Sequence, residues 1–209
     1  SAERVGAARE IIEEAGKSTR FMAPPSPGFR LLRDAVLSLS LKEEFVRPLY
    51  HWRTSRPHEY SHSALNCATD DNASFASGPR QGASAANVQL AADDFLLDHL
   101  GRGNGGSFDL LYFSTVGSLP GGLQDAITAL RAKGLPLNVT VVGASGPVAG
   151  ADQTLPDAQG RLRARYGVEA DSAAYLLRPD QHICARWKAL APAQLQAAIA
   201  QALPQLKAQ

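Results

Sequence analysis

Residues 157–187, DAQGRLRARYGVEADSAAYLLRPDQHICARW, decide how this chain folds. They read as a short helix, a buried strand, a tight turn and a second strand. Ala173-Ala174-Tyr175-Leu176-Leu177 is an apolar run of strand length, and Arg178-Pro179-Asp180-Gln181 carries turn chemistry. Proline fixes φ just after the run, and the Asp180 carboxylate can bond the backbone two residues on. The chain returns through His182-Ile183-Cys184-Ala185-Arg186-Trp187. Pro192 to Leu203 then forms a closing helix, with Leu195, Ala198, Ile199 and Ala202 on one face.

Working upstream, Phe108 to Phe113 is the clearest strand. Ser118 to Lys133 follows as a helix with Leu123, Ala126, Ile127 and Leu130 inward, and Gly134 ends it. Leu137 to Val142 is another buried strand, so the β-α-β order implies a parallel pair with a right-handed crossover. Val88-Gln89-Leu90 reads as a short strand and Asp93 to Leu100 as a short helix. The expected fold is α/β: a thioredoxin-like mixed sheet flanked by helices over residues 78–209, preceded by a helical and irregular extension over residues 1–77.

In that extension, residues 2 to 16 read as a helix with Val5, Ala8, Ile12 and Ala15 on one face and Gly16 closing it. Met22 to Gly28 is a stiff linker. Ser26 before Pro27 marks the start of a second helix, whose apolar stripe is Leu32, Ala35, Val36 and Leu39. From Phe45 to Asn87 the pattern dissolves into Pro, Ser, His, Asn and Gly. A structureless loop of that length is unusual, so this segment is expected to wrap over something or to hold short strands.

The 209 residues are 44% hydrophobic, enough for a real core, and no segment approaches the length of a membrane span. With 21 basic and 20 acidic residues, the formal charge of +1 gives no footprint for nucleic acid. Cys67 and Cys184, far apart in sequence, point to free thiols in a reducing, cytoplasmic compartment. The chain opens on Ser1 without an initiator methionine, and its charged, helical start does not read as a signal peptide, which leaves open whether a portion upstream was removed.

No catalytic, cofactor-binding or metal-binding residue can be assigned from the sequence. A thioredoxin-type domain carries its reactive cysteine where the first core strand meets its helix. Here that junction reads Phe113-Ser114-Thr115-Val116-Gly117-Ser118-Leu119-Pro120. Cys184 lies inside a strand, where a small apolar side chain is the ordinary explanation. His51, His58 and His62 lack the spacing and companion ligands of a metal site. His99 ends a helix and suits its dipole, and His182 reads as structural. Gly101-Arg102-Gly103-Asn104-Gly105-Gly106 precedes a strand instead of following one, so it reads as a connector. Gly143-Ala144-Ser145-Gly146 follows a strand, but Pro147 spoils a helix start.

The order of segments resembles the C-terminal part of the flavin-dependent aromatic hydroxylases, in the branch of 3-(3-hydroxyphenyl)propionate hydroxylase and phenol 2-monooxygenase. Glu3-Arg4 with Ala7-Ala8-Arg9 is similar to the helix that ends their FAD-binding domain. Phe21 to Pro25 and Leu32 to Val36 resemble the linker and helix that follow. Leu96 to Gly101 with Phe108 to Leu111 resembles the "LxDxLG…FxLL" run, and Leu177 to His182 with Trp187 the "RPDxH…W" hairpin. Ala85-Ala86-Asn87 departs from the Ala-Pro-His triplet of many relatives. The resemblance implies an FAD- and NAD(P)H-dependent aromatic-ring monooxygenase whose flavin domain, with its GxGxxG fingerprint, lies outside this chain. Such a thioredoxin-like domain is not catalytic alone and packs on the catalytic part or on a second subunit. The competing readings are a stand-alone thioredoxin-like scaffold and a thiol enzyme.

Overall fold

A computed structural model of the chain describes residues 2–49, 57–101, 106–114, 116–169 and 172–203. Their contacts divide into two compact units, Ser1–His58 and Glu59–Gln209.

The first unit contains α1 (Ala2–Met22), α2 (Pro27–Ser40) and a 3-10 turn over Glu44–Leu49. Ser26 caps α2 as its sequence implies: its hydroxyl accepts the Phe29 N–H at 3.4 Å, with Pro27 at the first helical position. Gly16 does not close α1. A glycine ends a helix only when it turns left-handed, and Gly16 keeps helical backbone while α1 runs on to Met22. The glycine costs about 1 kcal/mol in a helix interior. The helix instead stops ahead of Pro24-Pro25, where the ring disfavours helical backbone in the preceding residue. The expected apolar stripe of α1 is also not buried: Val5 and Ile12 are 54% and 71% exposed. Among the described residues of this unit only Ala7, Val36 and Val46 are buried.

The second unit runs β1 (Gln89–Ala91), β2 (Asp94–Phe95), β3 (Phe108–Phe113), α3 (Gly121–Ala132), β4 (Leu137–Val142), β5 (Gln153–Leu155), α4 (Arg161–Tyr166), β6 (Ala173–Leu177), β7 (Ile183–Trp187) and α5 (Pro192–Ala202). The five-stranded sheet has the order β5-β4-β3-β6-β7. β3 lies parallel to β4 from Phe108↔Leu137 to Phe113↔Val142, and antiparallel to β6 from Asp109↔Leu177 to Phe113↔Ala173. A β-α-β pair beside an antiparallel hairpin is the thioredoxin-like arrangement, so the expected α/β fold is the observed one.

Both faces are covered, which is why β3, β4 and β6 read as nearly unbroken apolar runs. Leu110, Val139, Val141 and Leu176 pack under α3 and α5, while Leu111, Phe113, Tyr175 and Leu177 pack with Leu162 and Tyr166 of α4. The helix expected over Asp93–Leu100 is different in detail. Asp93 adopts φ 57° in the turn between β1 and β2, and only Leu96–His99 coils, as a 3-10 turn. α3 starts three residues later than expected, because Ser118 bonds back to Ser114 and Pro120 holds the N-cap.

Residues 59–77, grouped with the extension on sequence grounds, make their contacts in the second unit. They hold no strand, but they wrap the open edge of β7. Cys67 N donates to Cys184 O at 2.8 Å and Asp71 N to Arg186 O at 2.9 Å. An exposed sheet edge invites pairing with other chains, and this wrap removes it. No helix among the described residues is long and apolar enough to cross a membrane.

Candidate functional site

The place to look for chemistry is the end of β3, where thioredoxin-type domains hold their nucleophile. Ser114 is buried there. Its hydroxyl donates to Ser118 O at 3.0 Å and accepts the Ser118 N–H at 3.1 Å. Its carbonyl accepts from Arg163 Nη2 at 2.7 Å, and Arg163 Nη1 donates to Glu169 O at 3.0 Å. Asp157 in turn fixes α4 by accepting the Leu162 and Arg163 N–H groups, both at 3.0 Å. Thr115 lies outside the described residues. Among the described residues the junction is a loop tied to itself and to α4, with no thiol and no base beside the Ser114 hydroxyl.

The cysteines stand elsewhere, both buried and both free. Burial pushes the Cys184 thiol well above its usual range, where little thiolate forms. Its sulfur meets Leu176 O at 3.5 Å, and the Cys67 sulfur meets Thr69 Oγ1 at 3.4 Å. We expect Ellman's reagent to find no thiol in the native protein and both after unfolding. Rapid native reaction of either would restore the thiol-enzyme reading.

The histidines do not converge. His58 Nδ1 meets Glu10 Oε2 at 2.6 Å, His62 is exposed, and His51 lies outside the described residues. His99 is held from both sides, by Asp94 Oδ1 at 2.6 Å and Gln153 Oε1 at 3.4 Å. Gln153 Nε2 continues the chain to His99 O at 2.8 Å and Thr140 Oγ1 at 2.7 Å, so His99 ties the β1–β2 hairpin to the sheet edge. Among the described residues no cluster of three His, Cys, Asp or Glu could hold a metal ion.

Nor do the glycine-rich stretches fit a flavin dinucleotide, which asks for a strand, a tight turn and a helix N-terminus in that order. Gly101 donates to buried Asp109 Oδ2 at 2.9 Å, and residues 102–105 lie outside the described ones. Ala144 to Gly146 borders a depression of about 400 Å³, but the next element is the strand β5 and not a helix. The carboxylate there, Asp152, already accepts from Val139 N at 2.6 Å and from Arg131.

Two buried arginines, Arg178 and Arg186, are hydrogen-bonded within the fold. Arg178, in the turn between β6 and β7, grips Asp180 with two bonds, Nε to Oδ1 at 3.1 Å and Nη2 to Oδ2 at 2.9 Å. Asp180 Oδ1 also accepts His182 N at 3.3 Å, the local bond its sequence position implied. Burial works to raise this carboxyl, but the bonds from His182 and Arg178 and the guanidinium charge outweigh it and hold it far below the usual carboxylate range. An acid depressed in the folded state stabilises it at every pH above the unfolded value of about 3.9. Asp180→Asn is therefore expected to lose about 1–3 kcal/mol at neutral pH. The gap to the parent should persist down to about pH 4 and close only as pH falls toward the depressed folded value. Urea unfolding along a pH series measures it, and a gap that closes nearer neutrality would refute the assignment.

No family model matches the chain, and no curated protein matches it. Solved structures do. The rebeccamycin biosynthetic enzyme RebC with reduced flavin superposes with a TM-score of 0.59 at 21% identity, over 96% of this chain and 34% of that one. The flavin-dependent monooxygenase PieE, in complex with FAD and substrate, superposes with a TM-score of 0.52 at 22% identity, over 88% of this chain and 31% of that one. The likeness is one of fold. This chain therefore spans about a third of the length of the structures it matches. Sequence reasoning missed the two arginine hubs, Arg178 and Arg186. Its one usable signal for Arg186 was a cation within an apolar strand.

Proposed function

We propose that this chain is the C-terminal portion of an FAD-dependent, NAD(P)H-using aromatic-ring monooxygenase, within the branch of 3-(3-hydroxyphenyl)propionate hydroxylase and phenol 2-monooxygenase. Its role there is structural: the thioredoxin-like unit packs on the catalytic portion or on a second subunit and carries no chemistry of its own. The observation that carries the reading is the superposition on RebC over 96% of this chain, which takes in the helical extension as well as the sheet. The order of the motifs Glu3-Arg4, Phe21 to Pro25, Leu96 to Gly101 and Arg178 to His182 supports the branch. The self-bonded Ser114 loop and the buried thiols support a scaffold in place of a redox centre. When bound, FAD supplies the oxygen-transfer chemistry of such enzymes. No residue described here fits it, so no step of that chemistry is assigned to this chain.

The test is a visible spectrum of the purified chain after incubation with FAD and desalting. We expect no flavin band and no NADH or NADPH oxidation with phenolic substrates. A stoichiometric flavin band retained on this chain would sink the reading.

A further inference from the structure

Cys67 and Cys184 are far apart in the chain but adjacent in the fold. Cys67 sits in the wrap and Cys184 in β7, and the bond from Cys67 N to Cys184 O at 2.8 Å joins these two residues themselves. Gln81 clamps the same pair: its Nε2 donates to Cys67 O at 2.6 Å and to Cys184 O at 3.1 Å. A direct backbone bond between two residues sets their Cα atoms about 5–6 Å apart, within the span that a disulfide bridges.

The two side chains also share a face. A bulge leaves Cys184 without a β6 partner, since Leu176 pairs with Ala185 and Leu177 with Ile183. Cys184 joins Ala185 in the core beneath α3 and α5, and Cys67 belongs to the same hydrophobic cluster. The contacts the sulfurs hold, with Leu176 O and Thr69 Oγ1, are weak ones.

We infer that Cys67 and Cys184 form a disulfide when the chain meets a peroxide, fastening the wrap covalently to the sheet edge. The inference stands apart from the flavoprotein reading. Cys67 reacts first, because it lies on the segment that lifts when the edge opens. Its thiolate takes one oxygen from hydrogen peroxide, giving a sulfenic acid and a hydroxide that the thiol proton turns to water. Once the wrap closes, the Cys184 sulfur attacks the sulfenic sulfur. The S–O bond breaks, the S–S bond forms, and the hydroxide leaves with the Cys184 proton as a second water. The two thiols lose two electrons and one peroxide is reduced to two waters. Burial slows both steps, in keeping with thiols that Ellman's reagent does not find in the native protein.

The test treats the native chain with hydrogen peroxide, blocks residual thiols with N-ethylmaleimide in urea, and maps the unreduced peptides by mass. We expect the Cys67 and Cys184 peptides joined, lighter by two hydrogens than their sum, and free of maleimide. Peroxide also adds oxygen to exposed Met22, so the reference is the same oxidised sample after dithiothreitol. The joined protein should unfold in urea at a midpoint at least about 1 M above that reference, because a bridge across a loop of about a hundred residues restricts mainly the unfolded chain. Cys67→Ser should abolish the shift. Cys184→Ala should abolish it too and leave a Cys67 sulfenic acid that dimedone captures. Maleimide on both cysteines after prolonged peroxide, or a sulfinic acid at either, overturns the inference. So does a joined protein whose midpoint does not rise, since the folded backbone would then not hold the pair at bridging distance.

Discussion

Replacing Gly82 by alanine is expected to destabilise the second unit by more than about 3 kcal/mol, enough to leave a marginal domain largely unfolded. Gly82 has φ 86°, a backbone conformation that costs an L-residue about 1–2 kcal/mol by itself. Steric conflict costs more. An added Cβ would stand 2.5 Å from the carbonyl carbon and oxygen of Tyr60 and 2.6 Å from Ser61 N. These are backbone atoms, so no rotamer change relieves the clash. The backbone there is tied down as well, since Tyr60 N donates to Gly82 O at 2.9 Å and Gly82 N to Ile183 O at 2.7 Å. The alanine therefore has to lift the wrap off β7 and expose the sheet edge it covers. Gly78→Ala should behave alike, because its Cβ would collide with Tyr166 O. Gly146→Ala meets open space and should change stability by less than about 0.5 kcal/mol. Denaturant midpoints of the three variants decide the matter. A Gly82→Ala protein as stable as Gly146→Ala would mean that the wrap does not hold this close backbone contact.

That contact also shows where sequence reading stops. β3, β4 and β6 were legible to the residue, because a strand covered on both faces is apolar along most of its length, and Phe108–Phe113, Leu137–Val142 and Ala173–Leu177 are, apart from Asp109, Asn138 and Thr140. β5 went unseen: Gln153-Thr154-Leu155 is short and half polar, and only its parallel register beside Thr140–Val142 makes it a strand. Gly16 and Asp93 misled for one shared reason. Local propensity says where a left-handed residue is cheap, but tertiary context decides whether the chain takes it, and here Asp93 does while Gly16 does not. The lack of a cysteine at the end of β3 was legible directly, whereas the hydrogen bonds that close the Ser114 loop depend on Arg163, which no local pattern links to it. Likewise, nothing in the polar run from Asn66 to Ser77 announces that it covers a sheet edge. Its partners are more than a hundred residues away.

Arg186 is where those distant partners meet, and its removal should be the most damaging change of a single polar side chain. The residue is 2% exposed, one position before the end of β7. Its guanidinium bonds to neutral acceptors. Nε donates to Asn72 Oδ1 at 2.7 Å, Nη2 to Asn72 O at 3.1 Å, and Nη1 to Ser77 O at 3.0 Å and Pro79 O at 3.1 Å. The Phe75 ring lies 4.5 Å from the guanidinium carbon, a cation–π contact that shields it from water. One side chain thus satisfies backbone carbonyls that the wrap would otherwise bury unpaired. Arg186→Met keeps most of the volume and removes every side-chain donor; Asn72 Oδ1 and Asn72 O keep the Gln81 and Phe75 N–H groups, but the Ser77 and Pro79 carbonyls lose the guanidinium. The expected loss is about 3–5 kcal/mol, because truncating one side of a buried charged network strands the other. Arg186→Lys should recover little, since a compact ammonium cannot spread its donors across Asn72, Ser77 and Pro79. The pH dependence separates this network from a simple packing defect. Burial already raises the Asp70 carboxyl, and the nearby Arg186 charge works against that rise. Without the charge, the folded pKa of Asp70 climbs further. A raised acid favours the fold below its unfolded pKa of about 3.9 and loses that advantage as pH rises through the folded value. The deficit of Arg186→Met should therefore be smaller near pH 4 than at pH 7. Urea denaturation at the two values reads the difference directly, and a deficit independent of pH would assign the loss to Phe75 and the carbonyls alone.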